Sequence, residues 1–279
     1  MFKNILLAAL ALTAPLGATA QKPAFFAMDT AIRSLDNVGV VAELGYDGIA
    51  WRPEPPQKLA QLLERLRAQK LNLFALYSGA ALTDGKLRWP RQIENDLPIL
   101  EGSGAVLWLT IGAKDFPPSD PAADSPVVTG LQQLAELAAP YGVRIALYPH
   151  RGSWMERFQD AVRLAQKVNH PALGVTFNLC HCLMLGDEPL IPELLQSAGK
   201  HLFLVTLNGA DSHAAKTHWG RLIRPLDEGD FPLRSFLKTL AASGYSGPIG
   251  LQAFGIPLSP EENLRRSIRA WRTLHPENP

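Results

Sequence analysis

The rhythm of the chain constrains it most: short apolar runs of five to eight residues alternate with amphipathic stretches along its length. The runs fall at residues 24–28, 47–51, 72–77, 105–112, 144–150, 173–178, 202–208 and 249–254. Between them, residues 57–69, 129–139, 155–168, 191–198, 232–242 and 261–273 carry apolar side chains at three- and four-residue spacing. A fully buried strand reads as an apolar run and an amphipathic helix as a 3.6-residue period, so the alternation specifies repeated β/α units around a parallel sheet. Helix ends are marked as this reading requires: Gly142 and Gly244 stand as C-caps, and Pro260 opens the last helix after Ser259. Eight such units fit a (β/α)8 TIM barrel of about 250 residues, with its working site at the carboxyl ends of the strands. The two longest irregular pieces, 114–125 and 209–229, follow the fourth and seventh runs and belong to that face. No linker, low-complexity stretch or charge block divides the chain, so a single domain is expected.

The beginning of the chain bears on its compartment. Lys3 precedes an apolar run at 5–12 and a small-residue ending, Ala18-Thr19-Ala20, which together read as a cleaved signal peptide over residues 1–20. The barrel domain is then residues 21–279, exported to a periplasm or secreted, and no later run is long enough to span a membrane. A net charge of +1 without a basic tract gives no electrostatic footprint for nucleic acid, so the expected partner is a small molecule. The sequence does not specify an oligomer. Cys180 and Cys182, read as the end of a strand, would have Cα atoms about 6.5 Å apart with poorly directed Cβ atoms, and free thiols are expected.

Strand parity sorts the side chains. In the fifth run Arg144, Ala146, Tyr148 and His150 share the inward face, against Ile145, Leu147 and Pro149 outside. The sixth run puts Thr176 and Asn178 inside, the seventh Thr206 and Asn208, and the eighth Gln252. Tyr148, Asn178, Asn208 and Gln252 thus form a neutral, hydrogen-bonding ring at the outermost inward level, with His150 above it and His181 in the turn after the sixth strand. Inward polar residues can be satisfied core, but four on consecutive strands read as a ligand floor.

The stretches LGYDGIAW at 44–51, RIALYPH at 144–150, LGVTFNLCH at 173–181, PLDEGDF at 225–231 and GYSGPIGLQ at 244–252 resemble, in order and spacing, the xylose isomerase-like barrels. That superfamily includes sugar isomerases, epimerases, dehydratases and endonuclease IV-type enzymes. The resemblance implies a divalent metal held by a Glu ending the fifth strand, an Asp-x-x-His closing the sixth and a Glu ending the eighth. Those positions fall here on Tyr148, Asn178, His181 and Gln252, so three carboxylates are replaced. Mg²⁺ and Mn²⁺ are held chiefly by anionic oxygen, so the usual metal site is expected to be weak or absent, and no cofactor is expected. Zinc or copper on His150, His181, Cys180 and Cys182 is the less favoured alternative.

Chemistry without the metal needs a base and a hydrogen-bonding or cationic stand-in for the Lewis acid. His150 and His181 are the base candidates, with Arg151 beside them. Lys216 and the amides of Asn178, Asn208 and Gln252 are candidate binding groups, and Trp51 and Trp154 candidate sugar platforms. Each has a plainer reading: Arg151 can pair with Glu156, Lys216 can be solvated, and the tryptophans can be packing. Glu54 reads as the only carboxylate near the rim, and Asp230 as the cap of the helix at 232–242. The expectation is an exported carbohydrate-active enzyme, an isomerase, epimerase or lyase acting by proton transfer on a sugar, keto-sugar or sugar acid. The rival is a catalytically inactive barrel kept as a carbohydrate-binding or scaffold protein.

Overall fold

The computed structural model describes residues 22–274; the expected signal peptide lies outside the described residues. The strands are β1 (Phe25–Met28), β2 (Gly48–Trp51), β3 (Asn72–Thr83), β4 (Lys86–Arg88), β5 (Val106–Ala113), β6 (Arg144–Leu147), β7 (Leu173–Asn178), β8 (Leu202–Leu207) and β9 (Ile249–Leu251). Around them lie α1 (Asp29–Ile32), α2 (Val38–Glu43), α3 (Pro56–Ala68), α4 (Gln92–Leu100), α5 (Asp124–Ala138), α6 (Phe158–Val168), α7 (Leu179–Met184), α8 (Ile191–Ala198), α9 (Trp219–Leu222), α10 (Leu233–Ala242) and α11 (Pro260–Leu274). All strands but β4 run parallel in the order β2-β1-β9-β8-β7-β6-β5-β3, and pairing of β2 with β3 closes the ring. The chain is a single (β/α)8 barrel.

The interior is the inward parity set: Phe26, Met28, Ala50, Ala75, Val106, Trp108, Ala146, Tyr148 and Leu204 pack as one cluster. Trp108 is its centre, 4.9 Å from the Tyr77 ring and 5.1 Å from the Tyr148 ring. Gly250, opposite Phe26 in register, makes room for that ring: a Cβ there would stand 2.5 Å from it. The outward parity set meets the helices. Phe177, for example, sits edge-on to Phe158 of α6 at 5.2 Å. Burying such a side chain contributes about 2 kcal/mol, and the outer layer repeats the contact on every strand. At the amino-terminal end, Phe25 stacks on Trp271 of α11 at 4.2 Å and the Tyr46 hydroxyl donates to the Leu264 carbonyl at 2.8 Å, locking the last helix to the first strand.

Several local readings are corrected. The third strand runs on to Thr83 and returns as β4 through Asp84 and Gly85, both at positive φ, the two-residue hairpin turn that Asp-Gly favours. Leu87 of β4 then presses on Gly130 of α5, where a Cβ would come within 2.4 Å of it. β6 and β9 end earlier than expected, so Tyr148 and Gln252 are the first residues past their strands, each still bonded by its N–H to the neighbouring strand. Arg144, inward by parity, is exposed at the far mouth with its guanidinium over the Phe203 ring at 4.6 Å. Cys180 and Cys182 lie not on a strand but in α7; both are buried and unbridged. Asp230 does not cap α10. Its carboxylate accepts the Ser212 N–H at 2.6 Å and ties down the loop after β8.

Candidate active site

At the carboxyl ends of the strands a cavity of ≈ 440 Å³ opens over the barrel core. Its floor is Tyr77, Tyr148 and Gln252; one wall carries His150, Arg151, Cys180 and His181, and the wall formed after β1 and β2 carries Asp29, Thr30 and Arg52. Trp219, Ile223 and Phe254 form the rim.

The floor is a converging network. Asn178 donates through Nδ2 to the Tyr148 hydroxyl, and Asn178 Oδ1 accepts from the Cys180 thiol at 3.1 Å. Gln252 Oε1 accepts from the Thr30 hydroxyl at 2.7 Å and from the Ala253 and Phe254 amides at 2.8 and 3.0 Å, which turns its amide nitrogen toward Tyr148. The Tyr77 hydroxyl donates from 3.5 Å. Tyr148 oxygen is thus an acceptor on the protein side, and its own O–H is left to face the cavity. Burial, with nearby Cys180 and Asp29 adding to it, holds this hydroxyl well above its ordinary pKa, so it stays a neutral donor. Burial likewise pushes the Cys180 thiol up to about 12, which makes it a poor nucleophile at neutral pH.

The two histidines, 4.3 Å apart, are set in opposite tautomers by one residue. The backbone N–H of Arg151 donates to His181 Nδ1 at 3.2 Å, so the proton of the neutral ring sits on Nε2. The carbonyl of the same Arg151 lies 3.0 Å from His150 Nδ1 and can only accept, so His150 carries its proton on Nδ1 and presents the Nε2 lone pair. Burial lowers the pKa of His181 to about 3, with the neighbouring His150 adding to the effect, and burial lowers His150 as well. His181 is therefore a hydrogen-bond donor rather than the base, and His150 an unprotonated base.

Asp29, the first residue of α1, is the only Asp or Glu in the cavity wall among the described residues. Its carboxylate meets Arg52 Nε at 3.3 Å. Burial raises its pKa, against the opposing pull of Arg52 and of the Thr30 amide. Arg151 pairs with Glu156 at 3.0 Å while lining the opposite wall.

Of the residues expected from sequence, the fold brings together Tyr148, His150, Arg151, His181 and Gln252, with Asn178 directly beneath. It does not bring the others. Asn208 is fully buried, donating to the Gly209 and Leu222 carbonyls at 2.7 and 2.6 Å, and serves as a clamp on the following loop. Trp51 is buried with its indole N–H on Glu54 at 3.1 Å, so both fall out of the rim, and Trp154 is buried on the Asp120 carbonyl. Lys216 is exposed and outside the cavity wall. Missed were Asp29, Thr30, Tyr77 and the aromatic rim of Trp219 and Phe254. Asp29 and Tyr77 gave the same signal as His150, a polar residue at the end of an apolar run.

The four positions where the resemblance puts metal ligands do not fit a hard divalent ion. Tyr148 is held as a neutral phenol, Asn178 Oδ1 accepts a thiol, and Gln252 Oε1 is already surrounded by three donors. His181 Nδ1 is taken by the Arg151 N–H, and one imidazole does not replace three carboxylates. Among the described residues no group of three or more His, Cys, Asp or Glu is placed to hold a metal, which also removes the zinc or copper alternative on His150, His181 and the cysteines.

Comparison with known proteins agrees with this architecture. A 3-dehydroshikimate dehydratase of Pseudomonas putida is 31% identical over 132 residues, 46% of this chain and 20% of that protein. An inosose isomerase of Bacillus licheniformis is 26% identical over 145 residues, 48% of this chain and 50% of that protein. The chain thus spans only a fifth to a half of the length of these relatives. A solved structure described as IOLI protein with a binding zinc atom superposes with a TM-score of 0.73 at 19% identity, covering 90% of this chain and 97% of the other, a likeness of fold. The sequence signature described as xylose isomerase-like TIM barrel matches residues 38–274, and the chain belongs to that family.

Proposed function

We propose that this protein is an acid–base enzyme of carbohydrate metabolism, an isomerase, epimerase or lyase that works on a keto-sugar or sugar acid without a divalent metal. The observation that carries the reading is the pair of histidines held in opposite tautomers beside the Tyr148 hydroxyl. His150 Nε2 takes the proton from a carbon next to a carbonyl. The C–H electron pair moves onto the carbonyl oxygen, and the resulting enediolate is met by the Tyr148 O–H and the His181 Nε2–H, two preorganised donors. Arg52 and Arg151 face the same space and suit a carboxylate or vicinal hydroxyls. The names of the relatives, a dehydratase and an isomerase, support the reaction class, and the leader-like residues 1–20 support an exported protein.

The test is turnover of 3-dehydroshikimate and of an inosose by protein freed of metal with a chelator. Tyr148→Phe is expected to lower kcat by about 10²–10³ with little change in KM, the usual cost of one oxyanion donor. Activity that vanishes on chelation and returns with one equivalent of Mn²⁺ or Mg²⁺ sinks the metal-free chemistry. The missing family carboxylates favour a second reading, a binding-only barrel: tight binding of either compound with no conversion would establish it.

A further inference from the structure

We infer that Asp29 is the second proton-transfer group of this site, acting from the wall opposite His150, an assignment that rests on the functional reading above. The barrel order carries the argument. Counting round the ring from β1, the strand β6 is four steps away in either direction, through β9, β8 and β7 or through β2, β3 and β5. Asp29 immediately follows β1 and His150 lies three residues past β6, so the two groups stand diametrically across the mouth, and both line the same cavity. A six-membered ring seated on the Tyr148 floor between them presents one face to each.

The surroundings of Asp29 suit a group that holds and releases a proton. Arg52 meets the carboxylate through Nε at Oδ2, 3.3 Å away, and the carboxylate is near enough to Tyr77 and Tyr148 to disfavour their ionisation. Burial favours the protonated form of Asp29, and the open cavity lets it re-equilibrate with water. The step balances without any further reactant. His150 Nε2 removes the proton from the carbon next to the carbonyl, and the electron pair is stored as the enediolate. That pair then forms a new C–H bond on the opposite face with the proton of the Asp29 carboxyl, leaving imidazolium at 150 and carboxylate at 29. Solvent returns both to their starting states. The outcome is inversion or transposition of the proton from one face of the substrate to the other; where a hydroxyl stands β to the carbonyl, the electron pair instead expels it, the C–O bond breaks, and the Asp29 proton goes to that oxygen, which leaves as water.

The experiment follows 3-dehydroshikimate and scyllo-inosose by proton NMR in D2O with wild-type protein, Asp29→Asn and His150→Gln. With Asp29→Asn, net conversion should fall by about 10²–10⁴, the range for losing one acid–base group, while deuterium still washes into recovered substrate, because His150 can abstract, exchange and return a proton on its own face. His150→Gln should lose both. Conversion by Asp29→Asn within about threefold of wild type overturns the assignment, as does parallel loss of conversion and washout, the mark of a merely positioning carboxylate. Wild-type protein silent on both compounds overturns the functional reading and this assignment together, which separates the two failures. Asp29→Ser carries the same comparison where melting shows that Asp29→Asn does not fold.

Discussion

Replacing Asn208 distinguishes a ligand group from a structural clamp. Its amide nitrogen donates to Gly209 O at 2.7 Å and Leu222 O at 2.6 Å, and the side chain has no exposed surface. In Asn208→Ala both bonds go. Gly209 O keeps a partner in the Arg224 N–H at 2.8 Å, whereas Leu222 O loses the Asn208 donor inside the protein. One lost bond costs about 1 kcal/mol and an acceptor left unpaired in the interior about 1–3, about 2–4 together, and removal of Asn208 Oδ1, itself buried without a partner, offsets part of that to leave about 2–3 kcal/mol. For a chain of this size that is a fall in Tm of about 5–10 °C, readable by calorimetry or by circular dichroism on heating. Asn208→Asp should be worse, because it sets a carboxylate against two carbonyls. Ligand affinity should drop only modestly, through loosening of the loop that brings Trp219 and Ile223 to the rim. An Asn208→Ala protein with unchanged Tm and abolished ligand binding would refute the clamp and return Asn208 to the ligand floor.

Three further outcomes are expected. Because His181 has a folded pKa of about 3 against an unfolded value near 6.5, the unfolded chain binds more protons between those limits, and the contribution is complete above pH 6.5 and lost as pH falls toward 3. Wild type should therefore lose about 1.4 kcal/mol more than His181→Gln between pH 7.5 and 5.5 in urea titrations, and equal losses would contradict the buried neutral imidazole. Asp96 runs the other way: buried, with Oδ1 unpartnered and its pKa raised by burial to about 6, it contributes less stability as pH rises from about 4 to 6. Asp96→Asn should then stabilise by about 1 kcal/mol at pH 7.5 and by little at pH 4, and the reverse order would refute this. Gly130→Ala should destabilise by about 1–3 kcal/mol through its collision with Leu87, and Gly130→Ala with Leu87→Ala should recover part of that loss in the same melting assay.

The fold was legible because each apolar run is buried on both faces and each helix shows one apolar stripe, so period alone separates them. Parity then placed Tyr148, Asn178 and Gln252 correctly although two of them lie just past their strands, since the ladder bond continues one residue beyond the assigned end. Parity failed once the chain left the sheet. Asn208 has the right face but its amide is used by the following loop, and Trp51 and Trp154 were judged by residue type, which does not reveal which way a strand-end indole turns. Asp29 was overlooked because it opens a helix of four residues, too short to show a period, and Trp219 because its position depends on how a long loop folds back. The tautomers of His150 and His181 are beyond any sequence pattern, for they depend on two main-chain atoms of one peptide segment.

That segment has an evolutionary consequence. The proposed chemistry asks only for the N–H and C=O of position 151, which nineteen of the twenty amino acids supply, while the side chain at 151 lines the cavity and sets the charge there. On the proposed function, selection can therefore retune preference between acidic and neutral substrates at this position and leave the imidazoles undisturbed. Proline is the one replacement that breaks the arrangement, so an alanine scan would score position 151 as a specificity residue and overlook its other role.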